Sequence, residues 1–264
     1  MPLLELYFAF PFLVDKPRFH YESTAAAVES LVDQIPGSNT DYYAVQHWAD
    51  VSTEDWGVTM CSAEAPMMEF GGLWPGYVSG AHHRVTPPGY GHPFRKPGQP
   101  SSSHIYSYVM NNNFRTNFRN TQVGDLLFHY AVATHRGAWQ PGEAQRFGWA
   151  FHHPLLPVRM KGPQEGLLPA ATSFCRLEGA DVLLCALKRA EDGGGIILRI
   201  LELAGRHSEA VVTLAELPRL QITRACRTNL VEEEEGRLPF TSTSVSVMLR
   251  PFEAATVRLE LEDQ

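Results

Sequence analysis

DVLLCALKRAEDGGGIILRILEL (residues 181–203) decides the fold class. Two runs rich in Leu, Ile and Val flank EDGGG (191–195), whose consecutive glycines supply the positive backbone angles that tight turns need. Runs of eight to ten residues with a glycine turn between them predict two antiparallel strands.

Working outward, period-two alternation recurs in YYAVQHWADVS (42–52), HIYSYVM (104–110), SEAVVTL (208–214), TSVSVML (243–249) and ATVRLEL (255–261). Successive side chains of a strand point to opposite faces, so each segment buries one face and wets the other. RPFEA (250–254) reads as the turn of a hairpin joining the last two of these strands. The one helix-like segment is STAAAVESLVDQ (23–34), with Ser23 or Thr24 as cap and Pro36-Gly37 as stop. Many strands with almost no helix predict an all-β protein with sheets packed face to face. MKGPQEGLLPAAT (160–172) is the expected boundary, giving domains 1–170 and 171–264.

The chain has 264 residues, 44% of them hydrophobic, enough for a sizeable buried core. A net charge of -7 argues against nucleic acid, whose binders cluster Lys and Arg on one surface. The apolar start LLELYFAFPFLV is shorter than a bilayer span of about 20 residues and carries Glu5 and Pro11, so no membrane segment or signal peptide is expected. Cys61, Cys175, Cys185 and Cys226 form no CxxC pair and lie among apolar neighbours, as reduced thiols do in a cytoplasmic protein.

Catalytic motifs are not legible. His82-His83 and His152-His153 are the obvious metal candidates, but neighbours on a strand face opposite ways, and neither HExxH nor HxH occurs. No GxSxG stretch marks a nucleophile, and no carboxylate pair can be picked out by spacing. Glu232–Glu235 reads as a solvated turn between strands. No catalytic residue and no metal ligand is therefore assigned to this chain.

The segment MNNNFRTNF (110–118) carries the better signal. Asparagine amides both donate and accept, Arg115 and Arg119 offer forked donors, and Phe114 and Phe118 offer flat apolar faces. Sugars, with hydroxyls above apolar C–H patches, suit that mixture. The candidate substrate-binding residues are Asn111, Asn112, Asn113, Arg115 and Asn117. Two readings stay open: a sugar-facing loop, or asparagines that satisfy the backbone of a long irregular connection. Trp48 is open in the same way, with core packing favoured over sugar stacking by the area an indole buries. VTPPGYGHPFRKPGQPSSSH (85–104), with five prolines and three glycines, is expected to be an extended loop.

YFAFPF (7–12), DQIPGSNTDYYAVQHWADVSTEDWGVT (33–59), YSYVMNNNFRTNF (106–118), DVLLCALKRAEDGGGIILRILELAGR (181–206) and RPFEAATVRLE (250–260) together resemble the C-terminal part of glycoside hydrolase family 38, the α-mannosidase family. The resemblance implies a partial mutarotase-like β-supersandwich followed by a smaller C-terminal β-sandwich. It also implies a function as a non-catalytic β-module, supporting the catalytic barrel and lending the 111–117 loop to a site for a mannose-containing glycan. The barrel, its carboxylate nucleophile and its zinc would lie on an N-terminal segment preceding Met1, so no cofactor is expected in this chain. The supersandwich would begin part-way, leaving a strand edge that pairs with the catalytic segment or with a second copy. A free-standing carbohydrate-binding module and an aldose-epimerase-like protein, using a His acid and a carboxylate base, are the alternatives.

Overall fold

The computed structural model describes residues 5–24, 26–36, 38–40, 42–73, 100–111, 123–163, 165–166, 169–179, 181–214 and 220–263. Its strands all pair antiparallel, in four sheets, and the fold is all-β as the alternation predicts. Two compact units divide the chain, Met1–Pro154 and Leu155–Gln264. The boundary expected from sequence falls within 154–174, whose described residues carry no regular element.

Unit 1 contains β1 (Glu5–Phe10), β2 (Arg18–Ser23), β3 (Ala26–Glu29), β4 (Tyr43–Ala44), β5 (Ala49–Ser52), β6 (Trp56–Ser62), β7 (Met67–Phe70), β8 (Ile105–Asn111), β9 (Tyr130–Arg136) and α1 (Pro141–His152). Sheet A runs β1-β8-β7-β4 and sheet B runs β3-β2-β5-β6-β9. Between them lies an aromatic core, where Phe70 stacks on Phe19 at 5.1 Å and on Tyr43 at 4.7 Å. Helix α1 covers the other face of sheet B, so β5 is buried along its whole length and β6 from Gly57 onward. That is why β6 reads TMCS where a half-wet strand would alternate cleanly. β1 has one strand neighbour among the described residues, and Leu6 and Phe8 on it are exposed.

The structure corrects the expected helix at 23–34. Ser23 pairs with Ala26 across a hairpin whose turn residue Thr24 has φ 54°, and β3 follows. Helix propensity differs between residues by less than about 1 kcal/mol, so packing decides. Here Val28 packs on the aromatic core and Ala27 under α1. Asp33 and Gln34, expected in a last helical turn, instead accept the backbone N–H groups of Glu29 and Leu31.

The observed helix was hidden by its composition. PGEAQRFGWAFH buries Gly142, Ala144, Gln145 and Gly148, a face of small and polar residues with no apolar stripe for periodicity to detect. The small residues are there because the helix lies close to the sheet: a Cβ on Gly148 would sit 2.8 Å from Trp48 Cδ1. Pro141 in the first turn and Glu143 beside it were the available local signals.

YYAVQHWADVS is likewise not one strand. β4 belongs to sheet A and β5 to sheet B, and the chain changes sheets between Ala44 and Ala49.

Unit 2 contains β10 (Cys175–Glu178), β11 (Val182–Arg189), β12 (Ile196–Glu202), β13 (Ser208–Leu214), β14 (Leu220–Thr228), β15 (Glu234–Arg237), β16 (Ser244–Leu249) and β17 (Ala254–Asp263). Sheet C (β10-β13-β16) packs on sheet D (β11-β12-β17-β14-β15) around Leu198, Ile200, Val212, Val247, Val257 and Leu259, the inward positions of the alternating strands. The 181–203 hairpin forms as read, from Val182↔Glu202 to Arg189↔Ile196. Gly195, at φ 107°, must be glycine, since a Cβ would stand 2.2 Å from the carbonyl oxygen of Leu259 on the adjoining β17.

RPFEA does not close a hairpin, because β16 lies in sheet C and β17 in sheet D. Turn residues report that the chain bends, not which neighbour it then joins. The acidic run is also not simply solvated. Glu232 accepts a hydrogen bond from the Glu191 backbone and pairs with Lys188 at 2.8 Å, and Glu234 and Glu235 enter β15.

Candidate functional site

The face of sheet B beneath α1 carries polar side chains in register. His20 of β2 lies opposite Asp50 of β5, and Asp50 opposite Thr59 of β6. In the next row, Ser52, Gly57 and His135 are cross-strand partners. Alternation places all of them on one side of the sheet, and burial converts that side into a hydrogen-bond network.

Asp50 is fully buried and accepts from Ser52 Oγ at 2.6 Å, Thr59 Oγ1 at 2.6 Å and His135 Nε2 at 2.9 Å. A carboxylate only accepts, so His135 Nε2 carries a proton and donates it, and Nδ1 has no partner among the described residues. Gly57 makes room for this arrangement: a Cβ there would lie 2.6 Å from His135 Nε2.

A second chain of bonds ties α1 to the sheet. Trp48 Nε1 donates to Gln145 Oε1 at 2.8 Å, Gln145 Nε2 donates to the fully buried Glu22 at 2.6 Å, and His47 Nδ1 bonds the other Glu22 oxygen at 2.7 Å. Trp48 is thus packed, not offered to a sugar, and the core reading holds.

Trp139 lies over this face, stacked on His20 at 4.2 Å. Burial pushes the His20 pKa below the usual histidine value. Neither His20 Nδ1 nor Trp139 Nε1, both buried, finds a hydrogen-bond partner among the described residues. Beside Trp139 opens a cleft of about 180 Å³, lined by Thr59, Ala133, Thr134, His135, Trp139, Gln140, Glu143, Ala144 and Phe147.

Donors from β5, β6 and β9 meet on the buried Asp50, which holds those strands in register. What the cleft offers is binding chemistry: an unpartnered imidazole nitrogen, an amide, a carboxylate and two aromatic rings. Among the described residues no three His, Cys, Asp or Glu side chains gather to hold a metal ion. His152 closes α1 and His153 follows it, so they lie at a helix end and not on a strand. His152 lies between the carbonyls of Gly148 and Ser62, and His153 against that of Trp149.

Of the sequence-predicted binding residues, Asn112, Asn113, Arg115 and Asn117 lie outside the described residues, as do His82 and His83 and most of the proline-rich segment. The backbone of Asn111 ends β8, opposite Glu5. His135, Gln140 and Glu143 were missed by sequence reasoning, because the helix presenting two of them was unread and nothing in the sequence pairs His135 with Asp50.

All four cysteines are free thiols, and burial pushes Cys61 up to about 12, as expected of a small hydrophobic filler. No helix among the described residues is long and apolar enough to cross a membrane.

Comparison with known proteins places these units. The chain superposes over 97% of its length on a protein in the glycosyl hydrolase family 38 from Enterococcus faecalis, with a TM-score of 0.61 and 16% identity. It superposes over the same share on an alpha-mannosidase from Enterococcus faecalis V583, with a TM-score of 0.55 and 17% identity. The chain spans about a quarter, 26%, of each of those chains. No curated protein matches the sequence. Residues 181–257, from the opening of the β11/β12 hairpin into β17, match the profile of the glycosyl hydrolases family 38 C-terminal beta sandwich domain. The chain therefore carries a C-terminal β-sandwich domain of glycosyl hydrolase family 38.

Proposed function

We propose that this chain is a non-catalytic β-module of an α-mannosidase-like glycoside hydrolase. It supports a catalytic segment and lends the 111–117 loop to a site for a mannose-containing glycan. One observation carries this reading: a chain with a family 38 C-terminal sandwich at 181–257 spans only 26% of the family 38 structure it superposes on. Hydrolysis, and the zinc it employs, belong in this reading to the catalytic segment. Exposed Leu6 and Phe8 on the outer strand of sheet A support pairing with that segment or with a second copy. Four free thiols support a reducing, cytoplasmic setting.

The test is alanine substitution of Asn111, Asn112, Asn113, Arg115 and Asn117, one at a time, in the complex of this chain with its catalytic segment. Removing a side chain that hydrogen-bonds the substrate should lower kcat/KM by an amount equivalent to about 0.5–3 kcal/mol while Tm holds. Unchanged kcat/KM in all five with a falling Tm would assign the asparagines to the loop's own backbone.

A further inference from the structure

The cleft beside α1 has the make-up of a small-molecule site. Empty cavities that arise from imperfect packing are apolar. This one brings the hydroxyl of Thr59, the imidazole of His135, the amide of Gln140 and the carboxylate of Glu143 to the same space as the rings of Trp139 and Phe147. Its volume of about 180 Å³ lies below the ~300 Å³ where drug-sized pockets begin, which suits a ligand of about one ring.

Charge narrows the class further. An anion would face Glu143 across a small space, and a divalent cation would find one carboxylate with no second acidic group lining the cleft. A neutral polyol meets neither obstacle. Its hydroxyls meet the imidazole of His135, the amide of Gln140 and the carboxylate of Glu143. The Trp139 ring that lines the cleft offers a face for apolar C–H groups.

We propose that this cleft binds a single neutral pyranose-sized polyol, a monosaccharide unit, in a site that makes and breaks no bond. The inference needs no catalytic partner and no residue of the 111–117 loop, so it can fail while the proposed function stands, and the reverse.

The test uses the isolated full chain, 15N-labelled, titrated with D-mannose and separately with D-glucose. Trp139→Phe identifies the Trp139 indole N–H signal. The expected result is a saturable shift of that signal with millimolar Kd. Gln140→Ala combined with Glu143→Ala, both at exposed positions, should raise Kd about tenfold. Glu143→Gln, which keeps the side-chain shape, should raise it in the same direction. Alanine variants of the loop should leave Kd unchanged. No saturable shift with either sugar would overturn the proposal. So would binding that survives the double substitution, or binding abolished by the loop variants alone.

Discussion

Replacing Glu202 by alanine is expected to destabilise unit 2 by about 3–5 kcal/mol. Its carboxylate is fully buried and accepts the backbone N–H groups of Ala204 at 2.9 Å, Gly205 at 2.9 Å and Phe252 at 2.8 Å, with Arg206 at 3.3 Å. One side chain thus fixes both the turn after β12 and the crossover that carries the chain from sheet C to sheet D. Hydrogen bonds to a charged acceptor contribute about 1.5–3 kcal/mol each, and truncation leaves the donors with nothing to meet. Glu202→Gln keeps one acceptor oxygen and should cost roughly half as much. The readout separates the units, since all five tryptophans, at 48, 56, 74, 139 and 149, precede residue 155. In urea, circular dichroism should fall in amplitude early in Glu202→Ala while tryptophan fluorescence reports unit 1 by itself. A wild-type dichroism midpoint would refute this role for the carboxylate.

Trp48→Ala is expected to cost unit 1 about 3–5 kcal/mol, the range for removing a large buried aromatic. The indole is fully buried between sheet B and α1, against Ala144 and Trp139, and its Nε1–H holds Gln145 in place to bond Glu22. Truncation therefore opens a cavity and frees Gln145 from one of its two partners. Trp48→Phe retains most of the apolar area and removes the donor, so about 1–2 kcal/mol is expected. Here the fluorescence transition of the remaining tryptophans should move to lower urea. If the alanine variant unfolds at the wild-type midpoint, α1 is not fastened to the sheet as described.

These two positions also show how far the sequence could be read. The 181–203 hairpin was legible because two apolar runs flank a glycine turn in which Gly193 and Gly195 have positive φ, both local facts. The same logic failed at 23–34, where alanines suited to a helix serve as small side chains in a strand beneath α1. It failed again at 141–152, where close approach to Trp48 demands glycine and alanine and so erases the apolar stripe. The polar network was invisible because its members lie far apart in sequence: 85 residues separate His135 from Asp50, and 123 separate Gln145 from Glu22. Only the pairing of strands and the packing of α1 on sheet B bring them together. Trp48 could be assigned to the core from the area of its side chain alone, whereas Glu202 looked like any outward-facing acid at the end of a strand.

If the chain works as the β-module of a family 38 enzyme, its effect should appear only when a catalytic segment is present. The most direct measurement is hydrolysis of an aryl α-mannoside by the purified chain, by a catalytic segment of family 38 from the same source, and by the two mixed. The expected result is no turnover by the chain alone, with or without added zinc, and a complex whose turnover exceeds that of the catalytic segment by itself. Turnover that tracks this chain alone through purification, or a mixture that neither associates nor gains activity, would contradict it.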